Sequence, residues 1–201
     1  AARVEFTIRR ADGTAVATVY AARAPSTIHD GPVYLHQGTA WRVVELDMEG
    51  HVARVEPDDG DTYTQTHSDT EIRLLDEIDR AAVDHVGVHL GRVEVTTRVT
   101  GFTRRTTDRH EVVERVELDL PPAVLDTTAL WWVFGAGIVE AAGLSPTRVP
   151  GALHAAEHAG IGILPLFALC DRWDVGGVST PWLPETSAPT VVIHDAQPGG
   201  A

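Results

Sequence analysis

The chain has 201 residues, a formal net charge of −13, and 43% hydrophobic against 22% charged residues. That apolar content excludes a disordered chain, and no apolar run reaches the ~18 residues that span a bilayer. The one cysteine, Cys170, excludes an internal disulfide framework and any multi-cysteine zinc site within these residues.

The first segment alternates. Val4, Phe6 and Ile8 fall on one side and Glu5, Thr7 and Arg9 on the other, Asp12-Gly13 marks a turn, and Ala15 to Tyr20 alternate again, so residues 3–20 are expected to form a hairpin. Short β-type runs follow at Val33–Leu35, Trp41–Leu46, His51–Val55 and near Thr62–Thr66. They are separated by His36-Gln37-Gly38, Glu49-Gly50 and Pro57-Asp58-Asp59-Gly60, all turn-type sequences. Residues 86–100 alternate with one shift near Gly91, and 110–120 form a second, less regular run in which a bulge is expected.

At Pro121-Pro122 the character changes. Ala123 to Ala142 is apolar nearly all round, which predicts a buried helix carrying Trp131 and Trp132. Gly151 to Leu169 predicts a second, with Pro150 in its first turn and Pro165 ending its regular part. Short strands are expected at Gly177–Thr180 and Thr190–Ile193. The expected fold is therefore α+β. Residues 1–120 form an antiparallel β-rich part, a small barrel or curled sheet, and 121–201 a helical part with two buried helices and short C-terminal strands.

The acidic balance speaks against a chain that grips nucleic acid over its whole surface, because phosphate binding needs clustered positive charge. Its distribution is uneven. Residues 85–109 carry five arginines against Glu94 and Asp108, with Arg98, Arg104, Arg105 and Arg109 at the centre. Such an island fits either the wet face of a hairpin or a local patch for a phosphate backbone. The string Leu153-His154-Ala155-Ala156-Glu157-His158-Ala159 contains H-x-x-E-H. On a helix His154 and His158 share a face and can reach one metal ion, with Glu157 beside them as a base on bound water. The plainer reading is polar structure, the histidines hydrogen-bonding across an interface. Further along, Arg172 and Trp173 offer a cation beside a stacking face. No G-x-x-x-x-G-K-[ST] loop exists, and all 16 basic residues are arginine. The only methionine is Met48, which suggests a piece of a longer protein.

Three segments carry a family resemblance: Tyr34-Leu35-His36-Gln37-Gly38 with Trp41 and Glu45-Leu46-Asp47; Leu153 to Ala159 running into Leu164-Pro165-Leu166-Phe167-Ala168-Leu169-Cys170-Asp171-Arg172-Trp173-Asp174-Val175-Gly176-Gly177; and Asp195 with Pro198-Gly199-Gly200-Ala201. Over about residues 28–201 the chain resembles the C-terminal accessory region of bacterial superfamily-2 DEAD/DEAH-box DNA helicases of the mitomycin-repair and RecQ-like type. The resemblance implies two upstream motor lobes that bind ATP and Mg, an accessory region that handles single-stranded or junction DNA, and a cytoplasmic protein without a membrane partner. It also implies a zinc-binding cysteine cluster just beyond the Pro-Gly-Gly segment. No cofactor is expected within these residues unless His154 and His158 hold a metal.

Three functions remain open. The first is a non-catalytic accessory domain of a DNA-repair helicase, aiding DNA binding or strand separation. Its candidate DNA contacts are Arg98, Arg104, Arg105, Arg109, His36, Gln37, Arg172 and Trp173. The second is a metal-dependent hydrolase using His154, Glu157 and His158. The third is a structural module that packs on the motor lobes.

Overall fold

The computed structural model describes residues 4–21, 23–171 and 174–197. They fall into two compact units, each discontinuous in sequence: residues 1–69 with 97–123, and residues 70–96 with 124–201.

The first unit opens with the expected hairpin, β1 (Glu5–Arg10) against β2 (Ala15–Tyr20). Asp12 closes its turn by accepting the Thr14 N–H at 2.8 Å, and Gly13 sits at φ +87°, where a side chain would be strained. A single helical turn, α1 (Ala24–Thr27), leads to β3 (Val33–His36), β4 (Thr39–Asp47) and β5 (Val52–Pro57). These make a five-stranded sheet in the order β2-β1-β5-β4-β3. The β1–β5 pair is parallel and the other pairs are antiparallel. Every second residue points inward: Phe6 and Ile8, Trp41 and Val43, and Ala53 and Val55 form one buried cluster.

Two long strands follow, β6 (Thr62–Val83) with 22 residues and β7 (Val86–Thr106) with 21, and both run through the two units. Only the start of β6 is visible as a β-type run in the sequence. Its continuation carries Asp76, Glu77, Asp79 and Arg80, all exposed, and β6 lies at the edge of its sheet, where charge is tolerated. Against β7 lies β8 (Val112–Glu117). Arg104 pairs with Glu114 but Arg105 pairs with Val112, which leaves Val113 as an extra residue. This is the bulge expected within residues 110–120.

The helical part expected from Pro121 onward is largely absent. Where a buried helix was expected over Ala123–Ala142, the chain forms β9 (Ala123–Phe134) and a short helix, α2 (Ala136–Ala141), with no buried residue. The physical reason is that β9 makes apolar contacts on both of its faces. Ala129 and Trp131 point to one side, into a cluster with Val93, Val95 and Val192. Trp132 and Phe134 point to the other, beneath α3 (Val149–Ile163). A strand buried on both sides has no polar face, and neither does a buried helix. α3 is the long helix packed on this sheet. Val149, Leu153, Glu157 and Gly160 form its buried stripe, and Pro165 lies in a 3₁₀ turn, Leu164–Leu166, directly after its end. The last strands, β10 (Val175–Leu183) and β11 (Ala188–Asp195), form a hairpin, giving the order β10-β11-β9-β7-β6. β11 is buried on both faces, with Val192 in one cluster and Val191 and Ile193 in the other.

Candidate functional site

The arginine island lies on β7 and its turn into β8, within the first unit. Alternation along a strand sends neighbouring side chains to opposite faces, and Arg104 and Arg105 part in this way. Arg104 turns inward: its Nε donates to Glu114 at 2.7 Å and its Nη2 to the Gly31 carbonyl at 2.8 Å, leaving the side chain 15% exposed. Arg105 turns the other way, donates to the His110 carbonyl at 3.0 Å, and lines a depression of about 640 Å³. Arg115, His67, Thr103 and Glu117 line it too, and His67 Nε2 lies 2.7 Å from Thr103 Oγ1. Arg98 is exposed, as is Arg109, whose nearest acid is Asp108 at 3.6 Å. Sequence reasoning missed Arg115 because the surrounding glutamates gave its segment an acidic sum. Register is the missing signal, since it pairs Arg115 with Thr103 and brings it beside Arg105.

His36 and Gln37 sit at the turn between β3 and β4, also in the first unit. His36 is half-buried and stacks on Tyr34, with the Tyr34 hydroxyl 3.4 Å from its Nδ1. Gln37 is exposed at φ 48°. Arg172, Trp173 and the Pro198–Ala201 segment lie outside the described residues.

In the second unit α3 brings His154, Glu157 and His158 together, with their ligand atoms within 4.8 Å of one another. The helix pitch explains it: positions 154 and 158 are one turn apart at the edge of the buried stripe, and 157 lies in it. The His154 and His158 rings meet edge to face with Nε2 atoms 3.1 Å apart. Glu157 is turned into the fold with its side chain 8% exposed, accepts from Ser179 Oγ at 2.6 Å, and lies 3.3 Å from His154 Nδ1. Gly177 makes room for it, since a Cβ there would come within 2.7 Å of the Glu157 Cγ. The Glu157 carboxylate is thus largely covered and engaged by Ser179, while the two imidazoles beside it are exposed. Nearby on β11, His194 is buried, and desolvation pushes its imidazole below the ordinary range although Asp195 and Glu157 pull the other way. A structural zinc has a closed set of four sulfur or nitrogen ligands. Among the described residues no such set is assembled: the helix offers two imidazoles, and Cys170, a half-buried free thiol, instead lines an apolar groove of about 680 Å³ with Trp132, Leu164 and Ile193.

Comparison with known proteins gives the class that this β-rich, arginine-bearing scaffold resembles. The chain is related to ATP-dependent helicases, consistent with a C-terminal accessory domain. Residues 156–201 match the family described as MZB, the MrfA Zn-binding domain. The chain is 28% identical over 179 residues to the ATP-dependent helicase YprA of Bacillus subtilis, covering 88% of this chain and 23% of YprA. It is 28% identical over 152 residues to the ATP-dependent helicase HRQ1 of Saccharomyces cerevisiae, covering 74% of this chain and 14% of HRQ1. It thus spans less than a quarter of either helicase. Its fold matches a crystal structure of the DUF1998 helicase MrfA bound to DNA with a TM-score of 0.70 at 24% identity, over 98% of this chain and 27% of that one.

Proposed function

We propose that this chain is a non-catalytic accessory domain of an ATP-dependent DNA helicase acting in DNA repair in the cytoplasm, and that it contributes to DNA binding or strand separation. Its partners are single-stranded or junction DNA and the motor lobes of the same polypeptide, where ATP and Mg act. The observation that carries this reading is the pair Arg105 and Arg115, which line one depression on the β7–β8 hairpin, with Arg98 on β7 and Arg109 in the turn after it both exposed, in an otherwise acidic chain. Clustered guanidinium groups take phosphates by charge and by bidentate hydrogen bonds, while net negative charge elsewhere keeps nucleic acid off the remaining surface. Arg104 supports this surface from within by holding β7 to β8 and to the Gly31 carbonyl. His36, Gln37, Arg172 and Trp173 remain secondary candidates for base or backbone contact.

The test is a salt titration of single-strand binding by the intact parent protein carrying Arg98→Ala, Arg105→Ala and Arg109→Ala together. Each lost phosphate contact lowers the slope of log K against log salt by about 1. An unchanged slope and affinity refute the assignment. A second reading, a module that packs on the motor lobes without touching DNA, is favoured by one observation. Leu166, Phe167 and Leu169, in and just after the 3₁₀ turn that follows α3, are 80%, 82% and 107% exposed, an apolar surface suited to another protein face. DNA cross-linking mapped by residue on the full-length protein separates the two.

A further inference from the structure

His154 and His158 stand one turn apart on α3, both exposed, with Nε2 facing Nε2 at 3.1 Å. Two neutral imidazoles meet in this way only when one ring nitrogen donates and the other accepts. The neighbour that decides the roles is Glu157. Its covered carboxylate accepts from Ser179 and lies 3.3 Å from His154 Nδ1. A carboxylate only accepts, so His154 carries its proton on Nδ1 and presents the Nε2 lone pair outward. His158 Nε2–H is then the donor between the rings. A cation in place of that shared proton would meet two lone pairs. With metal–nitrogen bonds of ~2.0–2.1 Å, nitrogens 3.1 Å apart subtend about 95–102° at the ion. That lies between the cis angle of square-planar or octahedral coordination and the tetrahedral angle.

We propose that His154 and His158 form a two-imidazole site for a divalent transition-metal ion of the zinc, nickel or copper type, with Glu157 as the orienting carboxylate and not as a ligand. Binding moves the His158 proton from Nε2 to Nδ1 through solvent, so the step balances with no oxidant or reductant. A carboxylate behind a ligating histidine fixes its tautomer and raises its basicity. Here it also fastens the site to the sheet, because Glu157 is held by Ser179 of β10 and its space is set by Gly177. The site is open, two protein donors with the remaining positions left to water. It differs from the closed four-ligand set of a structural zinc, and it does not depend on the helicase reading.

The experiment is a calorimetric titration of the chelator-treated chain with Ni²⁺ and with Zn²⁺, alongside long-range ¹H–¹⁵N imidazole spectra that separate Nδ1 from Nε2. The expected result is one ion bound in the micromolar range, with the Nε2 signals of both His154 and His158 moving and their Nδ1 signals keeping the proton. His158→Ala, on the exposed face, should leave the melting midpoint of the metal-free chain in place and weaken binding more than tenfold. Glu157→Gln should weaken it about 10–100-fold. Ser179→Ala, which loosens the same carboxylate, serves if the Glu157 variant fails to fold. Affinity unchanged in His158→Ala, signals moving at Nδ1 instead of Nε2, or no binding at millimolar metal overturns the proposal.

Discussion

Changing Arg104 to alanine separates support of the arginine surface from contact with DNA. The guanidinium makes two charge-assisted hydrogen bonds, one to Glu114 and one to the Gly31 carbonyl. Glu114 is 45% exposed, so solvent screens that pair and it contributes about 0.5–1 kcal/mol. The Gly31 carbonyl is part-buried, and leaving it without its donor costs about 1–2 kcal/mol. Together the loss is about 2 kcal/mol, which for a chain of this length lowers the melting midpoint by about 4–8 °C. The assay is thermal unfolding of Arg104→Ala followed by far-ultraviolet circular dichroism, with single-strand binding measured well below the transition. Stability should fall while the salt slope of binding stays that of the wild type. A variant that melts with the wild type but loses affinity and about one unit of salt slope would refute the inward assignment.

Two further outcomes test the packing. His29 and His194 are both buried, and desolvation holds both imidazoles below their ordinary pKa of 6.5, so each is neutral in the folded chain and protonates more readily unfolded. Stability is therefore full above about pH 6.5 and falls as pH drops below it, by up to about 2.7 kcal/mol per pH unit while both unfolded histidines are charged and both folded ones are not; urea midpoints at pH 7.5 and 5.5 measure the drop, and a flat profile contradicts the burial argument. Gly177→Ala would press a methyl onto Glu157 and should cost about 1–3 kcal/mol, whereas Gly162→Ala, on α3 with nothing within 4 Å, should stabilise by up to about 1 kcal/mol. Chemical denaturation of the two variants compares them directly, and equal midpoints would mean that the fit around Glu157 is looser than its contacts imply.

Local chemistry was legible wherever it was sufficient. Asp12-Gly13 marked the first turn because an Asx bond and a left-handed glycine are properties of adjacent residues. The α3 stripe at 149, 153, 157 and 160 follows from helix pitch, so the closeness of His154 to His158 could be read in advance. What failed depends on partners distant in sequence. Leu130 to Phe134 has no polar side because one face of β9 packs with Val93 and Val192 of the flanking strands and the other lies beneath α3, partners that local periodicity does not reveal. Most of β6 carries no strand signal because an exposed edge strand is free to be charged. Arg104 and Arg105 look alike as neighbours, and only Gly31 and the β7–β8 register tell them apart. The same holds for Glu157, whose hydrogen-bond donor is 22 residues away.

The passage of β6 and β7 through both units has a consequence for synthesis and for cloning. The cluster around Trp131 needs Val93 from β7 and Val192 from β11, so it cannot close before the chain through residue 192 has left the ribosome. Until then Val93 and Val95 wait without their lid, an opening for chaperones and for aggregation alike. A recombinant fragment ending near Pro121 would retain that half-built ladder permanently, so soluble expression requires β11 to be included.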